Sequence, residues 1–239
     1  MLDKNTLLKI KNLAIKIDHN LAFGGKSKGN KHLVRVVRVA KFLAKKTGAD
    51  LTITEAGAFL HDTALPSGND YEYSQNKKIV KKLLKTFNLP KNKLNEIAEC
   101  VASHEGTVKA KSLEAKIVHD ADVLDKLGIL GIIRHTWKMT NQNKIDPQAV
   151  KEKDIKTIIN HLAWRHKKLQ TPLAKKMAEY LIIPISPAQA KKIVMQTASL
   201  AINGVITEKI APTLFKHLNQ KQQQKLKEQL SLGYLYKFK

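Results

Sequence analysis

Apolar residues recur every three to four positions through almost the whole chain, and no stretch alternates apolar with polar over a strand's length. That period confines the chain to packed amphipathic helices. Residues 4–18 set Leu7, Ile10, Leu13, Ala14 and Ile17 on one side. Residues 31–47 carry Val36, Val39, Ala40 and Leu43 as a stripe with His32 on it; Asn30 is placed to cap this helix and Gly48 to end it. A helix beginning at Thr52 or Thr54 runs into Phe59-Leu60-His61-Asp62. Pro66 cannot continue it, so the His-Asp pair falls in its last turn. A polar segment, Ser67 to Ser74, leads to a lysine-rich helix near 75–87, and Pro90 opens one whose face is Leu94, Ile97, Val101 and His104. Between Leu113 and Gly128 the core stripe is Ile117, Ala121 and Leu124, flanked by Asp122, with His119 and Asp125 about one turn to either side. Residues 129–139 are again helical. Asp146-Pro147 starts a long helix to about Leu169, with Ile155, Ile159, Leu162 and Leu169 inward. Thr171-Pro172 starts another to about Ile183, and two or three more fill 188–239. The expected fold is all-α, without strand, repeat or heptad run.

The bulk numbers narrow the function classes. A 239-residue chain that is 43% hydrophobic can bury a proper core. Its single cysteine, Cys100, excludes a disulfide framework and a cysteine-rich zinc site. No apolar run approaches the ~18 residues of a membrane span, and no N-terminal stretch resembles a signal peptide. The chain reads as cytoplasmic, without a membrane partner. Its formal charge of +23 suits polyanionic company. Yet 39 lysines stand against 4 arginines, scattered over nearly every helix, which reads as solvated faces. The arginines are the sharper clue, because guanidinium grips phosphate with two donors. Arg35 follows His32 by one turn, and Arg134 follows Asp122 by about three; Arg38 and Arg165 read as surface.

Singly, His32, His61 and His104 are ordinary core histidines, and Asp62 and Asp122 ordinary caps or ion-pair partners. Together they fall on inward faces of separate helices in a chain with ample lysine for its surface. Buried carboxylates and imidazoles need partners, and a divalent cation satisfies several at once. His32, His61, Asp62 and Asp122 offer two nitrogens and two oxygens, a set suited to Mn²⁺, Fe²⁺, Ni²⁺, Co²⁺ or Mg²⁺ with positions open for water.

That series resembles the ligand signature of the HD superfamily of metal-dependent phosphohydrolases. The supporting segments are His32-Leu-Val-Arg-Val, Ala58-Phe-Leu-His-Asp, Ser103-His104 and Leu113-Glu-Ala-Lys-Ile-Val-His-Asp-Ala-Asp-Val-Leu-Asp-Lys-Leu-Gly128. The last is similar to the segment in small stand-alone HD hydrolases whose aspartate closes the metal site, and the match selects Asp122 over Asp120. Including the run from Leu169, the resemblance covers about residues 30–183. It implies an HD-domain helical bundle over 1–186, with the N-terminal helix included, and a helical extension over 187–239. Thr63-Ala-Leu-Pro66 replaces the acidic residues that follow the pair in guanosine tetraphosphate hydrolases and the glutamate of the deoxynucleotide 5'-nucleotidases. Neither activity is therefore expected. Members with two or three metals have extra histidines before the last aspartate; only His104 and His119 lie there, so one metal ion is expected and a second stays open.

The activity implied is hydrolysis of a phosphate ester or anhydride in a small phosphorylated substrate, a nucleotide above others. Asp62, His104 and Asp125 are the catalytic candidates, with Asp120 and Glu105 as further proton acceptors. Arg35, Lys77 and Arg134 are candidates for binding substrate, although Arg35 could instead pair with Asp62 or Glu55. Lys26 and Lys28, in the Gly/Lys-rich loop Phe23–Asn30, could join an anion funnel or simply be solvated. Glu114 and His119 would stand behind the ligands. Two other readings stay open: an HD-type di-iron oxygenase, and a basic nucleic-acid-binding protein with a vestigial site.

Overall fold

The computed structural model describes residues 2–68 and 71–239. No strand occurs among them, and the all-α expectation holds. Residues 69 and 70 of the polar segment Ser67 to Ser74 lie outside the described residues. The chain divides into two compact units: Met1–Lys28 with His32–Asp122 and Leu169–Ala174, and Gly29–Lys31 with Val123–Lys168 and Lys175–Lys239.

The first unit contains α1 (Lys4–Asn20), α2 (His32–Thr47), α3 (Leu51–Leu60), α4 (Tyr73–Leu84), α5 (Lys91–Ser103) and, through Asp122, α6 (Leu113–Asp125). Helix α3 is its axis, packing against α1, α2 and α5. Seven of its ten residues are buried, which is why it shows no polar face. Gly57 is the reason α5 approaches so closely, since a Cβ there would stand 2.5 Å from the Cβ of Cys100. The expected start at Thr52 or Thr54 is corrected to Leu51: Asp50 caps α3 by accepting from the amides of Thr52 and Ile53, at 2.8 and 3.1 Å. Glu114 of α6 accepts from the Asp50 amide at 3.0 Å.

Asp120 is committed to structure. Its Oδ1 accepts from the Gln170 amide at 2.8 Å, and its Oδ2 from the amide and hydroxyl of Thr171 at 2.7 and 2.6 Å. Thr171 immediately precedes α9 (Pro172–Leu181), so the carboxylate anchors that helix's start. Replacing Asp120 with alanine leaves two amides without their acceptor. The expected cost is about 3 kcal/mol in urea unfolding, with metal uptake retained, and loss of metal uptake at wild-type stability would contradict this division of labour.

In the second unit α7 (Gly128–Asn141) is central, packing against α8 (Glu152–Lys167), α10 (Pro187–Ile202), α11 (Thr207–Thr213) and α12 (Gln220–Ser231). Trp137 of α7 donates its indole N–H to the Val205 carbonyl at 3.0 Å. From α12, Gln229 donates to the carbonyls of Leu124 and Leu127 at 2.9 and 3.1 Å. Capping boxes begin α10 (Ser186 with Gln189) and α12 (Asn219 with Gln222). Three expectations change here. Helix α8 starts at Glu152 rather than Asp146, whose carboxylate accepts from the Gln148 amide in a local turn, and Asp154 meets the Lys151 amide instead. Ile159, expected inside, is 38% exposed. Arg165, expected on the surface, is buried and donates from Nε to His161 Nε2 at 2.8 Å, while His161 stacks on His135 at 4.1 Å. Burial and the neighbouring His161, Arg165, Lys138 and Lys126 hold the His135 pKa down at about 2, so the ring stays neutral.

Asn30 also departs from expectation. Its side-chain oxygen does not serve the helix that follows it; it accepts from the amide and hydroxyl of Thr207 at 3.0 and 2.9 Å. Among the described residues no helix is long and apolar enough to cross a membrane.

Candidate metal centre

Neighbouring residues on a helix point about 100° apart and cannot readily share one ion. The chain avoids this by ending α3 at Leu60. His61 occupies the C-cap, and Asp62 lies in the turn closed by bonds from the Thr63 amide to Leu60 O and the Leu65 amide to Asp62 O, both 3.0 Å. His61 Nδ1 donates to the Ala58 carbonyl at 2.8 Å, so the opposite nitrogen, Nε2, presents its lone pair to the interior. His32, the first residue of α2, brings its Nε2 to 3.2 Å from that of His61. Asp122 of α6 places Oδ1 at 3.2 Å from His32 Nε2 and 3.6 Å from His61 Nε2; Asp62 Oδ2 stands 3.4 and 3.2 Å from the same atoms.

The donor set fits a cation. Asp122 and His61 have fully buried side chains, that of His32 is nearly so, and that of Asp62 is partly exposed. The Nε2 atoms of His32 and His61, 3.2 Å apart, need a proton or a metal between them. Groups bound about 2.1 Å from one ion stand about 3.0–3.4 Å from one another, close to the separations here. His32, His61, Asp62 and Asp122 could therefore hold a divalent ion.

A second group adjoins the first. His104 is the C-cap of α5 and donates from Nδ1 to the Val101 carbonyl at 2.7 Å, the same device as His61. Its Nε2 lies 3.7 Å from Asp62 Oδ1 and 3.5 Å from Glu105 Oε1, and Asp62, His104 and Glu105 are close enough to hold an ion of their own. Burial alone would depress the His104 pKa; the carboxylates of Asp62, Glu105 and Asp122 reverse it and push it up to about 10. The carboxylates that raise the His104 pKa would favour a cation at the same place.

His119 supports this group from behind. Its Nδ1 donates to the His104 carbonyl at 2.6 Å, and its ring fills the space a Cβ at Gly106 would take, 2.7 Å from Cε1. Gly106, at φ +76°, makes the turn that leaves room for it. The other candidates have these surroundings. Arg35 is buried one turn beyond His32. Glu55, the alternative partner for it, is bound to Lys41 at 2.8 Å. Lys77 bonds the Tyr73 hydroxyl at 2.8 Å and Glu99 at 3.1 Å. Asp125 and Arg134 pair at 3.4 Å within the second unit. Glu114 serves the start of α3, the end opposite His61. Lys26 and Lys28 are exposed, and the short helical turn Ala22–Gly25 packs on Leu65–Ser67, just after the His-Asp pair.

Asp18, in the last turn of α1, was not legible as a site residue. Burial and the charge of Asp62 raise its pKa, and it takes the Ser27 hydroxyl. The only sequence signal is an acid at the lip of the Gly/Lys loop.

Comparison with known proteins bears on the fold. Residues 30–127 match the HD domain family. A Lactobacillus plantarum protein of known structure is 24% identical, with 85% of this chain and 100% of that one covered and a TM-score of 0.58. An HD-superfamily hydrolase from Bacillus thuringiensis is 25% identical over 74% of this chain and 89% of its own, with a TM-score of 0.55. Bacillus subtilis YpgQ, solved in complex with ADP, is 25% identical over 73% and 88%, with a TM-score of 0.51. No curated protein matches the chain. Residues 30–127 are thus similar to the HD domain, and the chain shares the fold of the HD-superfamily hydrolases.

Proposed function

We propose that the protein is a metal-dependent phosphohydrolase that cleaves a phosphate ester or anhydride of a nucleotide or other small phosphorylated molecule. The observation that carries this reading is the convergence of the Nε2 atoms of His32 and His61 with carboxylate oxygens of Asp62 and Asp122 on one point. A divalent cation held there supplies an acidified water and polarises a phosphoryl oxygen. His104, protonated at neutral pH beside Asp62 and Glu105, is placed to give its proton to a departing oxygen. Asp62 Oδ1 faces that ring, can accept the proton the attacking water gives up, and can pass it to His104 once the ring has lost its own. The His104 ring is held for this by Val101 O. The ADP bound by YpgQ supports a nucleotide as substrate here.

The group Asp62, His104 and Glu105 favours a second ion in the same chemistry, and it is also what an HD-type di-iron oxygenase would need. Metal analysis of the purified protein, followed by phosphate release from a nucleotide panel with Mn²⁺, Ni²⁺, Fe²⁺ or Mg²⁺, decides between them. Stoichiometric metal with phosphate or pyrophosphate released is the expected result. Two irons per chain and no release would favour the oxygenase; no bound metal and no release would overturn the proposal.

A further inference from the structure

Of the chain's two tryptophans, Trp137 is committed to structure through its bond to the Val205 carbonyl. Trp164, near the end of α8, is not. It is half-buried, and among the described residues its indole N–H makes no hydrogen bond. Its neighbours are rings and cations. The His161 ring, one turn earlier, lies 5.6 Å away at 27°, and His161 stacks in turn on His135 of α7 at 4.1 Å and 6°. Arg165 steadies this middle ring, donating from Nε to His161 Nε2 at 2.8 Å. The Lys168 ammonium stands 5.5 Å from the centre of the indole ring. Lys138 lies one turn beyond His135 on α7. All of these residues belong to the second unit.

Core packing does not account for the row. None of its three rings is enclosed, two of them are imidazoles, and lysines border it. The local field is positive, and with burial it keeps the His135 ring uncharged. Neutral flat rings among cations suit a ligand that is itself flat and negatively charged. A nucleobase stacks on aromatic faces while its phosphates seek lysine and arginine. The cations are also spread along the row: Lys168 stands at its Trp164 end, and Lys138 acts on its His135 end. That spacing suits successive phosphates of a strand better than the one phosphate group of a lone nucleotide.

We propose that the second unit binds single-stranded nucleic acid here, with bases stacked on the row of Trp164, His161 and His135 and phosphates on Lys168 and Lys138. The proposal goes beyond the hydrolytic reading and does not rest on it, since every residue it uses is distinct from the metal centre.

The test is fluorescence anisotropy of a labelled single-stranded oligonucleotide of roughly 10–15 nucleotides, titrated with the full chain in the presence of a chelator. Trp164→Leu keeps apolar bulk but removes the ring, and it is expected to bind about 10-fold more weakly than wild type. Trp164→Phe restores a ring and should recover most of that loss. Lys168→Gln should make the slope of log affinity against log salt shallower by about 0.7, the share of one phosphate contact. Heparin, a polyanion without bases, should bind wild type and Trp164→Leu alike. Thermal melting runs in parallel. If Trp164→Leu fails to fold, the exposed Lys168→Gln decides, and an unchanged salt slope there would overturn the proposal. Equal oligonucleotide affinity in wild type and a folded Trp164→Leu would overturn it too, because bulk charge alone would then explain the binding. So would displacement of the strand by AMP at strand-like concentrations, which would mark a mononucleotide site, or no binding at low salt.

Discussion

Asp62→Ala is expected to abolish metal retention and turnover together while leaving helicity intact. Asp62 lies between the two proposed ion sites, with Oδ2 beside His32 and His61 and Oδ1 beside His104. Its loss should exceed the ~10–100-fold that removing an outer partner costs, because it strips a direct oxygen donor and the proton acceptor at once. The fold should survive: Asp62 sits in a turn after α3, its side chain is 17% exposed, and the turn is closed by backbone bonds. Removing it also takes away the carboxylate that does most to keep His104 charged, so the ring's pKa should fall from about 10 as burial takes over. Metal content by elemental analysis, circular dichroism and phosphate release are the measurements. Full activity in this variant would refute the assignment of the site.

Gly57→Ala is expected to destabilise the first unit substantially. The new Cβ would meet the Cys100 Cβ at 2.5 Å, its Sγ at 3.1 Å and Val118 Cγ2 at 3.3 Å, so α3 must move away from α5 and α6. Overpacking of this kind costs about 2–3 kcal/mol, or roughly a 5–10 °C drop in Tm for a chain this size. Metal affinity should fall with it, since His61 ends α3 and His104 ends α5. A second change separates this account from helix propensity, which favours alanine over glycine. Cys100→Gly removes the opposing Cβ and should restore part of the loss in the double variant, whereas Cys100→Ala, which keeps that carbon, should not. Equal behaviour of the two double variants would place the strain elsewhere.

What the sequence revealed followed the range of its forces. The helices were legible because apolar period, proline and glycine act within a few residues: Gly48 ends α2 with φ +76°, and Pro90 opens α5 as read. The convergence of His32, His61, Asp62 and Asp122 was legible because imidazoles and carboxylates on buried faces require partners. Errors arose where a side chain had more than one nearby or distant use. Asp50 and Thr52 both suit a cap, and the carboxylate is the one that reaches two amides. Asp146 before a proline resembles a helix start, but a two-residue turn claims it first. Asn30 chose Thr207, and nothing near position 30 announces that. Arg165 looked solvated because its company, His161 one turn back and His135 on another helix, becomes visible only after folding. Asp18 was missed for the same reason: its significance is the charge of Asp62 next to it.

His61 and His104 each commit one ring proton to the carbonyl three residues earlier in their own helix, Ala58 and Val101. The orientation of these two nitrogens is thereby inherited from main chain, which mutation of side chains leaves in place. Over evolutionary time such a pocket is free to exchange its acidic members, and with them its ion and its clientele, while the imidazoles keep facing the same way. Descendants of one ancestor can in this manner diverge in chemistry without having to reinvent the frame that aims it.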